Sequence, residues 1–349
     1  MSGSLVVIDA DVLGRQRTGD ESYVSALLAE LPRLDEELDF AAVTRHPELV
    51  PIGVEPVELR ARSQPLRMAI SFPRLLRRLR PSLAHFQHVI APGCPAPAVV
   101  TIHDLSFERD PRLMARRDRF FFQTMVPRSV RRAARILTVS ERTKRDLVER
   151  YGTPEGKVVV TPNGVDAAFS PDGPRRNGAP YLLFVGALQS RKDPLAAIEA
   201  LSMTNADLHL VLAGPDKGSG REVREEVARL RLERRVEFAG HVEKTELAAL
   251  YRGATCLVFP SRYEGFGLPV VEAMASGTPV VATTAGAVPE VAGDAAILVE
   301  PGDAVALAGG IERALADRER LVRAGLERAR RFSWTETARR TLAVYRELL

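Results

Sequence analysis

The sequence contains little cysteine, with only Cys94 and Cys256 among its 349 residues. The two cysteines lie in different halves of the chain, which argues against a disulfide framework and against a cysteine zinc site with short ligand spacing. We expect both to be buried, reduced thiols in a cytosolic protein, with no part in its chemistry. At roughly 150 residues per domain, the length suggests about two domains with ordinary hydrophobic cores.

Long apolar runs are also missing. No window reaches the run of about 18 uncharged apolar residues that a membrane span needs, so we expect a cytoplasmic protein whose membrane contact, if any, is peripheral and at the inner face. The first apolar run ends at Asp9 and Asp11 without the features of a signal peptide, and is typical of a first strand. The glycine fingerprint of an NAD-dependent dehydrogenase does not follow that strand, which disfavours this class.

Positive charge is concentrated in one part of the chain, although the net charge is only +4. Residues 1–58 carry 4 Lys+Arg against 12 Asp+Glu, residues 59–157 carry 21 against 8, and residues 158–349 carry 24 against 25. Within the basic segment, arginines alternate with apolar residues at helical spacing in Arg67–Pro81 and Arg112–Arg135. This pattern indicates either solvated helix faces or a surface for an anionic acceptor or membrane phosphates. We do not expect the protein to bind nucleic acid, because the basic segment contains no nucleic-acid recognition motif.

Short apolar runs alternate with longer helical patterns, which is typical of βαβ units and parallel sheets. A segment rich in proline and glycine, residues 161–180, interrupts the alternation and predicts a linker or hinge. We therefore predict an α/β fold with two Rossmann-like, doubly wound domains that face each other across a cleft. The predicted strands are 5–8, 40–43, 83–86, 98–102, 136–139, 158–160, 181–186, 208–214, 236–240, 256–260, 279–283 and 295–299.

The most informative stretch is FPSRYEGFGLPVVEAMASGTPVVAT, residues 259–283. It predicts a strand, a polar loop and then a helix. Gly265 and Gly267 would let the backbone approach a ligand closely, and the N–H groups at the start of the helix favour an anion. Glu264 and Glu272 can each accept two hydrogen bonds from a vicinal diol. The stretch therefore indicates recognition of a ligand with phosphates and hydroxyls.

A second stretch, Phe184–Leu201, predicts a strand that ends at Gly186, followed by Arg191 and Lys192 just before a helix. The helix dipole disfavours two cations at the start of a helix, so their presence there favours a functional role over a purely structural one. Arginine and lysine together supply positive charge to a diphosphate.

Histidines follow two predicted strands in the first half. His103 and Asp104 come directly after residues 98–102, and His85 and His88 lie at the end of the strand before it. The spacing of His85 and His88 is compatible with a metal pair, but no third ligand lies near them in sequence. We favour a role in lining an acceptor site, with a packing role as the alternative. We expect no metal.

The spacing Glu264-x7-Glu272 within EGFGLPVVEAMASGTPVV resembles the signature of family 4, or group 1, glycosyltransferases, which are retaining enzymes of the GT-B fold. Residues 212–220 and 236–260 also resemble this family. The resemblance implies an acceptor-binding domain at 1–165, a nucleotide-sugar-binding domain at 166–332, and a helix at about 333–349 that packs back on the first domain.

The resemblance also implies the chemistry. The donor would be a GDP- or UDP-linked hexose of the mannose or glucose type, used without cofactor or metal, and the acceptor a glycan, a lipid-linked molecule or a small molecule. The implied catalytic residues are His103, Arg191, Lys192 and Glu264. The implied donor-binding residues are Gly186, Val242, Gly265, Phe266, Gly267, Leu268 and Glu272, and those near the acceptor are Gly19, His85, His88 and Asp104.

One segment departs from the family pattern. The family has two glycines shortly before an aromatic residue in a loop that closes over the donor, whereas TGDESY keeps Gly19 and carries Asp20 and Glu21. Two other hypotheses for the function remain: a sugar-nucleotide 2-epimerase of the same architecture, and a non-enzymatic protein that binds membranes or polyanions through its basic helices.

Overall fold

A computed structural model describes residues 4–14, 19–61, 63, 66–109, 116–205 and 207–349. The chain divides into two compact units. The first runs to Gly164 and also contains Ser333–Leu349, and the second is Val165–Phe332. The division thus lies one residue before the predicted boundary, and the C-terminal segment belongs to the first unit. Each unit is a parallel α/β structure, as predicted.

The first unit contains a seven-stranded parallel sheet in the order β3-β2-β1-β4-β5-β6-β7. Six of its strands were predicted, and β3 was missed because it has a single large apolar residue and a proline, which sheets tolerate at an edge. The strands are β1 (Ser4–Asp9), β2 (Leu38–Thr44), β3 (Glu55–Glu58), β4 (Leu83–Gln87), β5 (Ala98–Ile102), β6 (Arg135–Thr138) and β7 (Val158–Val160).

Strand β5 is buried along its whole length, as is typical of a parallel sheet that helices cover on both faces. Helix α5 is capped at both ends: the Ser140 side chain accepts the Thr143 N–H at 3.1 Å, and Gly152 ends the helix at φ 62°. The helices are α1 (Gly19–Leu34), α2 (Phe72–Leu79), α3 (Ser106–Arg109), α4 (Arg116–Arg132), α5 (Glu141–Tyr151) and the C-terminal helix (Trp334–Leu348).

The C-terminal helix packs on α1. Its Thr335 hydroxyl donates to the Glu30 carboxylate at 2.7 Å, and its Tyr345 side chain is fully buried. Gly164 lies so close to this helix that a Cβ there would be 2.1 Å from the backbone nitrogen of Trp334. The last residues of the chain therefore complete the core of the first unit.

The second unit contains a six-stranded parallel sheet in the order β10-β9-β8-β11-β12-β13. All six strands were predicted. They are β8 (Tyr181–Val185), β9 (His209–Ala213), β10 (Val236–Gly240), β11 (Cys256–Phe259), β12 (Val280–Thr283) and β13 (Ile297–Val299). The helices between and after them are α6 (Pro194–Ser202), α7 (Gly220–Arg229), α8 (Lys244–Gly253), α9 (Leu268–Ala275), α10 (Val288–Ala292), α11 (Ala304–Ala316) and α12 (Arg318–Ala329).

The segment 161–180 contains no helix or strand, as expected, but most of it is attached to the second unit. The buried guanidinium of Arg252 donates to the backbone carbonyls of Ala168, Ser170 and Pro174. Each of these bonds satisfies a loop carbonyl that has no partner in a sheet or helix. The segment therefore does not behave as a free linker over its whole length.

Two expectations about burial need correction. Cys256 is buried, and burial raises the pKa of its thiol to about 12, but Cys94 is only half-buried because it lies in the loop before β5. Arg67, the first residue of a predicted basic face, is 1% exposed and forms an ion pair with Asp9 at 2.7 Å. The more distant Asp11 carboxylate lies 3.4 Å from the same guanidinium. Arg67 therefore belongs to the core, not to the basic surface.

Among the residues that the structure describes, no helix has both the length and the apolar character that crossing a bilayer requires. Residues 15–18 and 110–115, which carry parts of the predicted loop near Gly19 and of the second basic stretch, lie outside the described residues.

Candidate active site

The loops after β8 and β11 meet at one edge of the second sheet, because the two strands are neighbours. The first loop carries Arg191 and Lys192, and the second carries Glu264. Lys192 Nζ donates to Glu264 Oε1 at 2.5 Å, and Arg191 Nη1 lies 3.4 Å from Glu264 Oε2. Arg191 also donates to the backbone carbonyl of Tyr263 at 2.9 Å. The three charged residues predicted as catalytic in this half are thus one cluster.

The Glu264 side chain is 8% exposed, and its environment keeps the carboxylate ionised. Burial alone would raise its pKa, but the charges of Lys192 and Arg191 and the hydrogen bond from Lys192 together lower the pKa below its usual value. One anion between two cations leaves a net charge of one positive unit. The cluster can therefore attract an anionic group such as a phosphate.

Glycines allow these loops to approach each other. Gly186 lies at φ +154°, and a Cβ there would lie 3.5 Å from the Lys192 side chain. A Cβ on Gly214 would be 2.0 Å from the carbonyl oxygen of Gly186, and one on Gly286 would be 2.1 Å from that of Glu264. Gly214 and Gly286 carried no predicted role, although each follows a strand at the same edge of the sheet.

Helix α9 begins directly after Gly267, which takes the left-handed conformation at φ +101°. Glu272 is the fifth residue of α9. Its half-buried carboxylate accepts a hydrogen bond from the Tyr251 hydroxyl at 2.9 Å. Tyr251 is fully buried, and burial raises the pKa of its phenol well above the usual value. Tyr251 therefore orients Glu272, a positioning role that sequence reasoning missed because the two residues lie on different helices.

The remaining predicted donor-binding residues also belong to this unit. Phe266 is 5% exposed and packs edge-on against the ring of Phe332, with ring centroids 5.5 Å apart. Gly265 and Leu268 flank it at the start of α9. Val242 follows β10 and is buried.

In the first unit, a cluster forms where β1, β4 and β5 end, because these three strands are neighbours. His103 follows β5, His88 follows β4, and Asp20 lies in the first turn of α1. Asp20 Oδ1 lies 3.8 Å from His103 Nδ1, and Asp20 Oδ2 lies 3.6 Å from His88 Nε2. The Tyr23 ring packs edge-on against His103 with ring centroids 4.9 Å apart. The two histidines predicted here are brought together, with an aspartate that was not assigned a role.

His103 is a neutral imidazole near neutral pH. Burial lowers its pKa, an effect that the nearby Asp20 carboxylate only partly offsets. His103 Nε2 lies 2.9 Å from Gln87 Oε1, which can only accept, so the ring proton is on Nε2. His103 Nδ1 therefore carries a lone pair on the side of Asp20.

His85 occupies a different position from that expected of an acceptor-site residue. His85 is 0% exposed and bonds the Tyr345 hydroxyl at 2.5 Å and the Thr101 hydroxyl at 2.7 Å, so the structure places it in the core. Burial lowers the pKa of His85 to about 3. Asp104 accepts the backbone N–H of Ser106 at 2.9 Å in a local turn. This placement of His85 fits the packing role that the sequence left open.

The departure from the family pattern has a structural explanation. Glu21 accepts the backbone N–H of Gly14 at 2.7 Å and so ties Gly14, in the loop after β1, to helix α1. Gly19 is the first residue of that helix, and Asp20 directs its carboxylate toward the two histidines. The two acidic residues therefore organise this site.

Comparison with known proteins identifies the family. A sequence model of "Glycosyl transferases group 1" matches residues 166–332, and one of "Glycosyltransferase Family 4" matches residues 17–169. O-antigen chain mannosyltransferase B of Escherichia coli is 27% identical over 268 residues, which are 72% of this chain and 70% of that protein. D-inositol 3-phosphate glycosyltransferase of Acidothermus cellulolyticus is 35% identical over 241 residues, 62% of this chain and 54% of that protein.

The chain thus spans about half the length of the second relative. A solved structure of sucrose-phosphate synthase from Thermosynechococcus elongatus is 22% identical, with a TM-score of 0.83 over 99% of each chain. This likeness shows the shared GT-B fold. With the two family models together covering residues 17–332, the resemblance inferred from Glu264 and Glu272 is confirmed, and the chain belongs to the family 4, group 1 glycosyltransferases.

Proposed function

We propose that this protein transfers a hexosyl group from a nucleoside-diphosphate sugar to an acceptor hydroxyl, with retention of configuration and without a metal. The observation that carries the proposal is the buried cluster of Lys192, Arg191 and Glu264 at the carboxyl edge of the second sheet. Its net positive charge suits the diphosphate, which gains negative charge as it leaves the sugar.

The proposed reaction is a front-face substitution. The bond between the anomeric carbon and the diphosphate oxygen breaks through an oxocarbenium-like state, and the acceptor oxygen bonds to the same face of that carbon. The acceptor proton passes to the leaving phosphate oxygen, so no carboxylate nucleophile is required. Lys192, Arg191 and the N–H groups at the start of α9 stabilise the leaving group.

The carboxylates then have binding roles. Glu264, ionised and held by two cations, accepts hydrogen bonds from hydroxyls of the transferred sugar and fixes Lys192 in place. Glu272, oriented by Tyr251, accepts hydrogen bonds from the two ribose hydroxyls of the nucleotide. His103 accepts a hydrogen bond from a sugar hydroxyl at Nδ1, because Gln87 holds its proton at Nε2.

For the donor we propose a GDP- or UDP-linked hexose, with a mannosyl donor as the first candidate. Its support is the name of one relative, the Escherichia coli mannosyltransferase. Other relatives are named as D-inositol 3-phosphate glycosyltransferases and glycogen synthases, so a test must include several nucleotides and sugars.

For the acceptor we propose a glycan or a lipid-linked molecule at the inner face of the cytoplasmic membrane. Its support is the exposed face of α2 and of the helical residues 66–71 before it. Arg74, Arg77 and Arg78 lie there with Leu66 (37% exposed) and Ile70 (40% exposed). Cations beside exposed apolar side chains suit the boundary between phosphate headgroups and acyl chains.

The proposal is tested first by thermal unfolding with GDP, UDP, ADP and their sugars. A ligand raises the melting temperature according to its concentration relative to its Kd, so the true donor nucleotide should give the largest shift. The selected sugar nucleotide is then incubated with candidate acceptors in a chelator, and the anomeric configuration of the product is read by NMR. An inverted product would contradict retention, and turnover without any acceptor would favour the 2-epimerase.

A further inference from the structure

A group of three potential metal ligands lies in the first unit. The ligand atoms of Asp20, His88 and His103 all lie within 4.8 Å of one another. They come from three separate parts of the chain: the start of α1, the residue after β4 and the residue after β5. We propose that these three side chains form a binding site for one Zn²⁺ ion, and that the bound ion inhibits the enzyme.

The choice of zinc follows from the ligand types. Two imidazoles and one carboxylate suit a first-row transition metal such as Zn²⁺ better than Mg²⁺ or Ca²⁺, which prefer oxygen ligands. Three protein ligands leave a fourth tetrahedral position for water or for a hydroxyl of a ligand.

The distances are close to those that zinc needs. Bonds of about 2.0–2.1 Å in a tetrahedral site put two ligand atoms roughly 3.3 Å apart. Asp20 Oδ2 lies 3.6 Å from His88 Nε2 and Asp20 Oδ1 lies 3.8 Å from His103 Nδ1, so these two pairs must each approach by a few tenths of an ångström. The ligand atoms of the two histidines lie within 4.8 Å of each other and must also move closer when the ion binds. The Asp20 side chain is 36% exposed, which gives an ion access from solvent.

The protonation of His103 also fits a ligand. Metal-binding histidines usually donate their other ring N–H to an oxygen acceptor, which fixes the tautomer. Gln87 Oε1 accepts from His103 Nε2 at 2.9 Å, and this bond leaves Nδ1 on the side of the other two ligands.

Inhibition rests on the proposed function. His103 Nδ1 is the atom that we assign to a sugar hydroxyl, and a zinc ion would occupy the same lone pair. Zn²⁺ would therefore reduce glycosyl transfer reversibly, while nucleotide binding at the second unit would remain.

The test is a calorimetric titration of ZnCl₂ into tag-free protein that has been treated with a chelator. We expect one ion per chain in the wild type and in His46→Ala, a control that removes a histidine beside a single carboxylate, Glu48. Asp20→Asn and His88→Asn should abolish stoichiometric binding. Asparagine is chosen at residue 88 because it tolerates the positive φ of 59° there.

A further variant, Gln87→Met, should weaken zinc binding by about 10–100-fold, because it removes the acceptor that orients His103. Absence of binding by the wild type, or equal binding by the Asp20 and His88 variants, would overturn the proposal. If those variants do not fold, the zinc ligands are identified by X-ray absorption spectroscopy of the zinc-loaded wild type. Two imidazoles and one carboxylate around the ion support the site, and any other set of protein ligands overturns it.

The binding measurement does not depend on enzyme activity. If the protein binds zinc but shows no transferase activity with any donor, the metal site is retained and the proposed function is removed. Transferase activity without stoichiometric zinc binding would retain the proposed function and remove the metal site.

Discussion

The Lys192 ammonium and the Glu264 carboxylate form a buried ion pair, with Nζ and Oε1 2.5 Å apart, between the loops that follow two neighbouring strands. The pair holds a cation at the edge of the sheet before any ligand arrives. Charge held in place in advance needs little reorganisation when negative charge develops, and this preorganisation is a major source of catalytic rate enhancement.

Replacing Lys192 with alanine should lower kcat by about 10²–10³-fold, the usual effect of removing one preorganised donor to a developing charge. Lys217→Ala is the matched control, because Lys217 is an exposed lysine in the loop after β9. Steady-state kinetics with the preferred donor measures both. Near-normal turnover by a folded Lys192→Ala protein would contradict the leaving-group role.

Replacing Glu264 with glutamine should change how stability depends on pH. The pKa of Glu264 in the folded protein is below its usual value of 4.5, so its ionised form stabilises the fold above that pH and the contribution is lost as the pH falls through the folded pKa. The stability difference between wild type and Glu264→Gln should therefore be larger at pH 7 than in the acid range. Urea unfolding at several pH values measures it, and a difference independent of pH would argue against an ionised Glu264.

Replacing Glu272 with glutamine should raise the donor KM by about 10-fold and change kcat little, because ribose contacts are made equally in the ground and transition states. Tyr251→Phe, which removes the hydroxyl that orients Glu272, should shift KM in the same direction. An unchanged donor KM in both variants would remove Glu272 from the ribose site.

Replacing Arg67 with methionine should destabilise the first unit by about 3–5 kcal/mol, because it leaves the buried carboxylate of Asp9 without its cation, whereas Asp11 keeps its ion pair with Arg45. Arg74→Met, an exposed arginine on the next helix, should change stability by less than about 0.5 kcal/mol. Denaturant unfolding compares the two. Equal effects would show that Arg67 does not act as a core residue.

His85 should make the protein less stable in acid. Its pKa is about 3 in the folded protein and 6.5 in an unperturbed histidine, so the unfolded chain takes up a proton first as the pH falls. The contribution of neutral His85 is complete above pH 6.5 and decreases toward pH 3. In His85→Gln the unfolding free energy should fall less steeply over this range, which stability measurements at successive pH values test. A slope identical to that of the wild type would contradict a neutral, buried His85.

Local patterns in the sequence were sufficient for much of the fold. Short apolar runs predicted twelve strands, because the burial of a strand depends on residues close together in the chain. The motif around Glu264 and Glu272 identified the family, since a loop and the helix after it carry both residues.

The α/β alternation, the family and most of the charged residues of the candidate site could therefore be predicted from the sequence. Which residues meet could not be predicted and is seen only in the folded chain: Arg67 meets Asp9, His85 meets Tyr345, and Asp20 meets two histidines. These partners are set by the order of strands in the sheet and by the packing of helices on it. Such packing brings together residues as much as 260 positions apart, and no local periodicity in the sequence records it.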